Sequence, residues 1–546
     1  MKEKVIKIIK KKQTLYVIFV VIMLLLVGIV GIFYFDTVDE IPKEPIEKEP
    51  TVPLTTLISK TYAQLLREGL LDDIEIIDDR ISPLTTQAVS LEVLRIRKKG
   101  IEEQMRKIGP GWKASPSYYY EAVLHDSVWS SHEINKWDTG YVGWEAFRKV
   151  DNDLSTCRIE FKLYEKQRRF FRTTSVEKDS FSLEYCFRTG RWIGDGRTHG
   201  GLVGSGYFNG DNFEVWFDVH QSDYDGDGIP YWVEVNLLGT DPTVNDHYQD
   251  PDGDGIPTSW EWKWGFDPLT WDDHANIDVS NDGLSNVDKF NLRKWGANPY
   301  RQDIYVEMDF MKGRSGLFSR DHVFHEESKQ MVMDKFAEQD ITLHVDDGIM
   351  GGGGEFLEYH EEYISQEGGI GSYYYKYHFA DDRKGVFRYG VVVHSAGWAH
   401  PQDFKLQYDV ISIPDNLKFY RGVFYPLPAL TPRLQRLAMA CAFMHELGHT
   451  LGLRGLYNPG IDNRTQIGRG MEDIPPLQRH RMQQEARKYW ENYESVMNYD
   501  KFGRYVIAYS DGTNGVNDVD DWSMIDLTFF KRHTAEGVEG LYKEVT

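Results

Sequence analysis

Residues 437–453 read LAMACAFMHELGHTLGL, and the rest of the chain is organised around this stretch. His445 and His449 are four residues apart, so on a helix both imidazoles lie on one face and can bind one metal ion. Glu446 projects about 100° round the helix from His445, where its carboxylate can take a proton from a metal-bound water. The residues before the histidines are apolar on every side, which indicates a buried helix. The stretch therefore predicts a zinc site that activates water for hydrolysis.

Composition narrows the classes of protein to which the chain can belong. Its 546 residues exceed what one hydrophobic core organises, which predicts several domains. The net charge of −23 argues against nucleic acid as a partner, because a phosphate backbone needs a basic face. Three cysteines do not make a disulfide scaffold. Cys441 lies in the apolar helix as a small hydrophobe, whereas Cys157 and Cys186 lie in β-like segments whose pairing the spacing leaves open.

The N-terminal region has the pattern of a membrane anchor. Residues 1–13 contain six lysines and one glutamate and are expected to stay in the cytoplasm. Residues 14–35 carry no charge and would form about 33 Å of helix, enough to cross a bilayer. A cleaved signal peptide is the alternative, but the run ends in YFDT, 34–37, rather than in a small-residue cleavage site. We therefore expect a single-pass type II protein of the cell membrane with an extracellular catalytic domain, followed by a Pro/Glu/Lys stalk over 36–53.

Two regions follow the stalk. Residues 54–110 are predicted to be a helical segment, with helical patterns near 55–70 and 84–108. Residues 111–221 change to short alternating runs separated by glycine-rich turns, which is typical of an antiparallel β-sandwich. Those runs include CRIEFKLYE at 157–165, SFSLEYCF at 180–187 and NFEVWFDVH at 212–220. No catalytic constellation occurs among them, so a binding or accessory role is the default.

Residues 222–300 contain an internal repeat that fits the twelve-residue calcium loop. Alternate oxygen-bearing side chains, a glycine for the sharp turn and a backbone carbonyl at the seventh position suit a hard cation with six to eight oxygen ligands. In the third copy Ser280 replaces an aspartate and Asp288 is expected to replace the final glutamate. The alternative is an acidic, turn-rich linker, which three copies in register disfavour. The predicted calcium ligands are Asp223, Asp225, Asp227, Ile229 and Glu234, then Asp250, Asp252, Asp254, Ile256 and Glu261, and then Asp278, Ser280, Asp282, Leu284 and Asp288.

Residues 301–546 have an α+β pattern. Strands are predicted at 301–311, 341–347 and 386–394, with helical spacing over 318–338. This order fits a three-layer α/β subdomain whose last long helix carries the metal ligands.

The histidine helix and a second motif together resemble the metzincin clan of zinc endopeptidases. The helix reads HELGHTLG at 445–452, and SVMNY follows at 495–499. The resemblance implies that Gly452 ends the helix and that Met497 forms a methionine turn beneath the histidines. It also implies that Tyr499 reaches the metal or a developing oxyanion.

The resemblance extends beyond the catalytic motifs. Residues 519–532 look like the C-terminal helix of the metzincin clan. The calcium loops resemble thrombospondin type-3 or dockerin-like repeats, because Pro230 and Pro257 cannot donate the backbone bond that joins paired EF-hands. The order of anchor, sandwich, calcium repeats and protease domain is similar to that of membrane-anchored predicted proteases seen chiefly in archaea.

The third metal ligand departs from the metzincin pattern. That ligand would lie six residues after His449, where the chain has Gly455. Asp462 is 13 residues past His449 and is the favoured replacement, because a carboxylate is a good zinc ligand. It could equally cap a turn. The other candidates are Glu472, Asp473 and His480.

The sequence thus predicts a multidomain α+β protein with an N-terminal transmembrane helix, an antiparallel β-sandwich, calcium-loop repeats and a metzincin-like zinc protease domain. The expected function is extracellular endopeptidase activity on a protein or peptide substrate, with Zn²⁺ and Ca²⁺ as cofactors. Glu446 would act as the catalytic base, assisted by Tyr499. The rival is a catalytically impaired surface-binding or adhesion protein on a protease scaffold. Gly455 favours that rival, and the intact Glu446 opposes it.

Overall fold

The computed structural model describes residues 60–530, except for 61, 73, 108–114, 141, 170–171, 195–197, 200–204, 315–320, 361–369, 394–409, 415–430, 456, 464–473 and 503. The predicted tail, anchor and stalk, residues 1–53, lie outside the described residues. No helix in the described part of the chain combines the length and the apolar character that crossing a bilayer requires.

The described elements alternate between strand-rich and helix-rich segments. The helices are α1 (Tyr62–Arg67), α2 (Ile101–Lys107), α3 (Tyr231–Val233), α4 (Thr258–Trp264), α5 (Asn286–Asn291), α6 (Glu326–Ala337), α7 (Ile370–His378), α8 (Thr431–Thr450), α9 (Pro476–Tyr489), α10 (Tyr499–Phe502) and α11 (Asp521–Met524). The strands are β1 (Ala88–Lys98), β2 (Tyr118–Leu124), β3 (Ser127–Ser130), β4 (Asp138–Thr139), β5 (Trp144–Lys149), β6 (Thr156–Arg169), β7 (Arg172–Cys186), β8 (Arg191–Gly194), β9 (Thr198–His199), β10 (Gly206–Asn209), β11 (Phe213–Gln221), β12 (Asp303–Met311), β13 (Thr342–Asp346), β14 (Phe356–Leu357), β15 (Phe387–Val393) and β16 (Val410–Pro414).

Two antiparallel sheets form the N-terminal part of the described chain, as the alternating pattern predicts. One sheet has the order β4-β1-β11-β10-β9, with β5 also paired to β1, and the other has the order β3-β2-β6-β7-β8. Buried and partly exposed residues alternate along β2. Aromatic rings join the sheets, because Phe181 of β7 stacks on Phe161 at 5.1 Å and on Phe217 of β11 at 5.0 Å.

The helix predicted near 84–108 is wrong over most of its length. The structure has strand β1 there, followed only by the short helix α2. Val89, Leu91 and Val93 face the sandwich core with a period of two, and a bulge between Val93 and Arg95 then brings Ile96 to the same core. Because the bulge adds one residue, the buried positions Val89, Val93 and Ile96 have the spacing of one helix face, and a helix was therefore predicted here.

The disulfide left open between Cys157 and Cys186 is absent, and both thiols are free and buried. In the β6–β7 pair, Cys157 lies opposite Tyr185, whereas Cys186 lies opposite Thr156. Since successive side chains along a strand point to opposite faces of the sheet, this offset of one residue places the two sulfur atoms on different faces.

The calcium-like repeats are visible in the backbone. The sixth residue of each loop is a glycine with a positive φ, namely Gly228 at 90°, Gly255 at 96° and Gly283 at 86°. These φ values lie where L side chains are disfavoured, so the loops require glycine there. A short helix, α3, α4 or α5, begins at the ninth residue of each loop.

The C-terminal part contains a parallel sheet with the order β13-β12-β15-β16, extended by β14 next to β12. Strand β12 is buried along its whole length. Ile304, Val306 and Met308 pack into one core with α6 and α8, whereas Tyr305 and Met311 pack into a second core with α7. The sheet is therefore covered on both faces, which is the three-layer arrangement predicted from the order of elements.

Two boundaries in this part differ from the sequence prediction. The helix predicted over 318–338 is observed as α6, Glu326–Ala337. The C-terminal helix that the metzincin resemblance implies over 519–532 is represented by the four-residue helix α11. Residues from 531 onward lie outside the described part.

Candidate metal centre

Helix α8 carries the histidines on a rigid support. Residues 437–444 are all buried, and among them Cys441 lies in the main core as the apolar pattern predicts. Tyr509 donates a hydrogen bond to the Met444 carbonyl one residue before His445. Helix α8 ends at Thr450. Gly452 follows with φ 89°, and the Leu453 N–H donates to the Gly448 carbonyl at 2.9 Å. The chain thus turns away directly after His449.

A buried segment around Met497 lies against the same helix. Met497 is fully buried, and a Cβ placed on Gly448 would lie 2.8 Å from its sulfur. Glycine between the two histidines therefore permits the close approach of Met497. The Met497 carbonyl also accepts a hydrogen bond from the Asp462 N–H at 3.0 Å. This bond ties the loop after the helix to the floor of the site.

Backbone carbonyls orient both imidazoles. The Nδ1 atom of His445 lies 3.0 Å from the Val496 carbonyl oxygen, and that of His449 lies 2.7 Å from the Leu453 carbonyl oxygen. A carbonyl oxygen only accepts hydrogen bonds, so both Nδ1 atoms must carry the proton. In the neutral ring this leaves each Nε2 with a free lone pair, as a metal-binding histidine requires.

Asp462 lies directly opposite these lone pairs. Its Oδ1 is 3.2 Å from Nε2 of His445, and its Oδ2 is 3.7 Å from Nε2 of His449. Donor atoms of the three residues all lie within 4.8 Å of one another. Oδ1 is buried and lacks a hydrogen-bond partner of normal geometry. Two hydrogen-bond acceptors this close repel each other unless a positive charge lies between them. The two imidazoles and the carboxylate are the ligand types that bind zinc.

The electrostatics of the cluster favour such a positive charge. Burial raises the pKa of Asp462, but the charge of His449 and the contact with His445 outweigh burial and lower it to about 2. Burial likewise lowers the pKa of His445, but its contact with Asp462 and the charges of Asp462 and Glu446 raise it to about 9. The same negative field that stabilises a proton here would stabilise a divalent cation.

The two proposed catalytic side chains lie beside the donor set. Glu446 is half-buried, next to His445 on the helix. Tyr499, the first residue of α10, stacks on the His445 ring with centroids 5.2 Å apart and planes 22° apart. Its hydroxyl also hydrogen-bonds the Asp462 carboxylate and contributes to the low pKa of that group.

The other candidates for third ligand do not join this group within the described chain. His480 is exposed on α9 and is not among the clustered donors. Glu472 and Asp473 lie outside the described residues. Asp462 itself adopts a left-handed backbone with φ 55°, which is uncommon for a residue other than glycine and often marks a functional site.

Several supporting groups were not identified from the sequence. The contacts of the Val496 and Leu453 carbonyls cannot be predicted from residue type, because every residue has a backbone carbonyl. Tyr509 could be recognised only from its hydrogen bond to the Met444 carbonyl, which the sequence does not show. The glycine inside the histidine motif was the one available signal.

The first two calcium loops also gather their predicted carboxylates. Buried oxygens of Asp225, Asp227, Asp252 and Glu261 have no hydrogen-bond partner. Burial and the neighbouring carboxylates raise the pKa of Asp227 to about 9 and of Glu261 to about 7. Three three-residue donor groups occur here: Asp223, Asp225 and Asp227 in the first loop, Asp250, Asp252 and Asp254 in the second, and Asp254 and Glu261 of the second loop with His274. These oxygens fit a hard cation.

The twelfth residue of each of these two loops is a buried glutamate. Glu234 in the first loop is buried, and burial with the charges of Asp225 and Asp223 raises its pKa to about 8. Glu261 occupies the corresponding position in the second loop. The side chains of Ile229 and Ile256 point into the small cores of the repeats, as expected of residues that contribute only a carbonyl.

The third loop differs, and the expectation for Asp288 is wrong. Asp288 is the eleventh residue of that loop, and it forms a capping box with Ser285 at the start of α5. The twelfth residue is Lys289, whose buried ammonium lies 2.5 Å from Asp282 and 2.7 Å from Asp303. An internal cation thus takes the place of a metal here. In the described chain, Asp278 and Asp282 do not belong to any group of three clustered Asp, Glu, His or Cys donors, and Leu284 is buried.

A comparison of the sequence with protein-family models finds no match, and neither does a comparison with curated proteins. The geometry of the donor set is therefore the basis of the functional proposal.

Proposed function

We propose that the chain is a zinc-dependent endopeptidase of metzincin type, anchored in the membrane by residues 14–35 and facing outward. The observation that carries the proposal is the convergence of His445 Nε2, His449 Nε2 and the Asp462 carboxylate, with both Nδ1 atoms already held by carbonyls. Asp462 supplies the donor that Gly455 lacks.

Each side chain then has a defined task. Bound Zn²⁺ would supply Lewis acidity, lowering the pKa of a water molecule and polarising the scissile carbonyl. Glu446 accepts a proton from the attacking water and returns it to the leaving amine. Tyr499 stacks on His445 and hydrogen-bonds the Asp462 carboxylate. In the reaction its hydroxyl would donate a hydrogen bond to the oxyanion.

Calcium has a structural task in this proposal. The first two loops each bring several buried carboxylates together, which repel one another until a cation neutralises them. Calcium would fasten the two loops, whereas Lys289 fastens the third without metal.

The test uses the full-length protein purified in detergent with calcium present. Zinc content is measured by elemental mass spectrometry, and cleavage of casein and of a peptide library is followed with and without a zinc chelator. We expect about one zinc per chain, cleavage that the chelator abolishes, and recovery when zinc is restored. Cleavage that resists the chelator contradicts the proposal. Bound zinc without cleavage of any substrate favours the surface-binding alternative.

A further inference from the structure

One buried carboxylate outside the twelve-residue loops faces the first loop. Asp246 is only 6% exposed, and its Oδ1 atom has no hydrogen-bond partner. It lies within hydrogen-bonding reach of the Asp227 carboxyl, and its charge also acts on Asp225 and Glu234. Asp246 therefore adds a further carboxylate to the predicted ligands.

The backbone around Asp246 is fixed to the first loop on both sides. The Asn245 side-chain amide donates to the Asp225 carbonyl at 2.9 Å, and the His247 Nδ1 donates to the Asp227 carbonyl at 3.0 Å. These two bonds hold residues 245–247 against the loop. They aim the side chain of Asp246 at the carboxylates rather than at solvent.

Three buried carboxylate oxygens in and beside the first loop have no hydrogen-bond donor. Oδ2 of Asp225, Oδ2 of Asp227 and Oδ1 of Asp246 are all buried without a hydrogen-bond partner. Burying unpaired carboxylate oxygens is strongly unfavourable unless a cation or a proton lies between them. Oxygen donors alone, without nitrogen or sulfur, suit calcium.

We propose that Asp246 is a calcium ligand of the first site, supplied from outside the twelve-residue loop, and that this makes the first site the tighter of the two. The inference rests on the proposed calcium binding and deepens it. With Asp223, Asp225, Asp227 and Glu234, the first site has five carboxylates. Calcium affinity in such loops increases with the charge of the ligands and the rigidity of the site.

The second loop lacks this addition. Each repeat has an Asp-Pro pair, at 241–242 and at 267–268, and a further aspartate at the same distance after it, Asp246 or Asp272. Unlike Asp246, Asp272 is only half-buried. The backbone N–H of Asp272, rather than its carboxylate, approaches Asp254, at 3.3 Å from Oδ2. The two repeats therefore use equivalent aspartates differently.

His274 takes the corresponding place in the second loop. It is fully buried, with Nε2 at 3.1 Å from Asp254 and 3.4 Å from Glu261. The Asn286 amide nitrogen lies 2.8 Å from Nδ1 and can only donate, so Nε2 carries the hydrogen. His274 is thus a hydrogen-bond donor to two calcium ligands, where Asp246 is a further acceptor. The second site consequently has less negative charge.

The experiment compares Asp246→Asn with Asp272→Asn in the full-length protein. Calcium binding is measured by titration calorimetry after calcium removal, in a Glu261→Gln background that weakens the second site. We expect Asp246→Asn to weaken the remaining site at least tenfold and Asp272→Asn to leave it within twofold. Equal calcium affinity in the Glu261→Gln protein with and without Asp246→Asn overturns the assignment.

Thermal unfolding distinguishes a calcium ligand from a residue that only packs in the fold. Asn keeps the shape of Asp246 but removes a charge, so in chelator the Asp246→Asn protein should melt no lower than wild type. In calcium it should melt lower. A lower midpoint in both conditions would mean that Asp246 acts through packing and would overturn the assignment. If wild type binds no calcium at all, the proposed calcium binding itself fails, which is a different result.

Discussion

In the proposed function, single side chains divide the chemistry of the candidate site between binding a cation and transferring a proton. His445, His449 and Asp462 contribute converging donor atoms, and Glu446 lies beside them without joining the cluster. The charge of Glu446 acts on His445, but its carboxylate is not among the clustered donors. Its role should therefore be visible in the rate of reaction and not in metal content.

The first prediction concerns Glu446→Gln. The amide keeps the shape of the side chain but cannot accept the proton from water, so kcat should fall by about 10²–10⁴-fold. Zinc content should stay at the wild-type level, because Glu446 is not among the donors. Glu485→Gln, an exposed change on α9, is the control and should leave both quantities unchanged. Retained activity in Glu446→Gln would remove Glu446 as the base.

Metal-site residues could be predicted from the sequence when they lie close together in the chain, and not when they lie far apart. The spacing of His445, Glu446 and His449 is set by one helix, so their shared face could be predicted locally. Asp462 could be named but not separated from Glu472, Asp473 and His480, because its position depends on a left-handed residue and on a bond to the Met497 carbonyl.

Among the secondary-structure elements, helix α8 and the Met497 segment act as one unit. Val496 orients His445, and Met497 holds the Asp462 backbone, so a shift of this segment would move two of the three donors. The contact that sets the distance between helix and segment is made at Gly448.

The second prediction is that Gly448→Ala weakens zinc binding. The new methyl group would lie 2.8 Å from the Met497 sulfur and 3.0 Å from the Tyr509 hydroxyl. Overpacking of this kind costs about 1–3 kcal/mol, although alanine favours the helix by about 1 kcal/mol. Zinc affinity, measured by competition with a chelator, should therefore fall at least tenfold. Gly140→Ala, where a methyl group meets no atom within 4 Å, is the control. Unchanged affinity would show that the segment does not position the ligands.

The third prediction concerns the cysteines in β6 and β7. Because Cys157 and Cys186 point to opposite faces of their sheet, no disulfide can form without a change of register. Unreduced, denatured protein should therefore react with an alkylating reagent at all three cysteines, counted by mass spectrometry. Alkylation of only one cysteine would contradict the register described here.

Secondary-structure elements were predicted correctly where the periodicity of the apolar residues matched the way the element packs. The buried strand β12 and the parallel layer around it followed from an apolar run. Strand β1 was taken for a helix because its bulge disturbs the period of two, and pairing with β11, β4 and β5 decides its conformation. Local pattern carries no information about such partners.

In the molecule as a whole, buried charges join the sandwich, the repeats and the α/β layers. Arg97 of β1 pairs with Glu214 of β11 and with Asp334 of α6, and Lys289 of the third loop pairs with Asp303 of β12. Arg191 of β8 donates to the Trp262 carbonyl in the second repeat. These partners are distant in sequence, so composition could separate the segments but could not predict how they dock.

The fourth prediction is that calcium removal destabilises the joined segments together. Ligand binding to the folded state adds about 2.7 kcal/mol when free calcium is about 100 times Kd. A chelator that spares zinc should therefore lower the thermal midpoint by several degrees, and loss of near-UV circular dichroism should coincide with loss of β-sheet signal. An unchanged midpoint would contradict a structural role for calcium.

The central claim is that His445, His449 and Asp462 hold zinc, and X-ray absorption at the zinc edge tests it most directly. In wild type we predict two imidazole nitrogens at about 2.0–2.1 Å with oxygen ligands at about 2.0–2.2 Å and no sulfur. Asp462→Ala should lose zinc or lose one oxygen from the ligand shell, with both imidazoles retained. A sulfur ligand, a third imidazole, or an identical spectrum in Asp462→Ala would contradict the account.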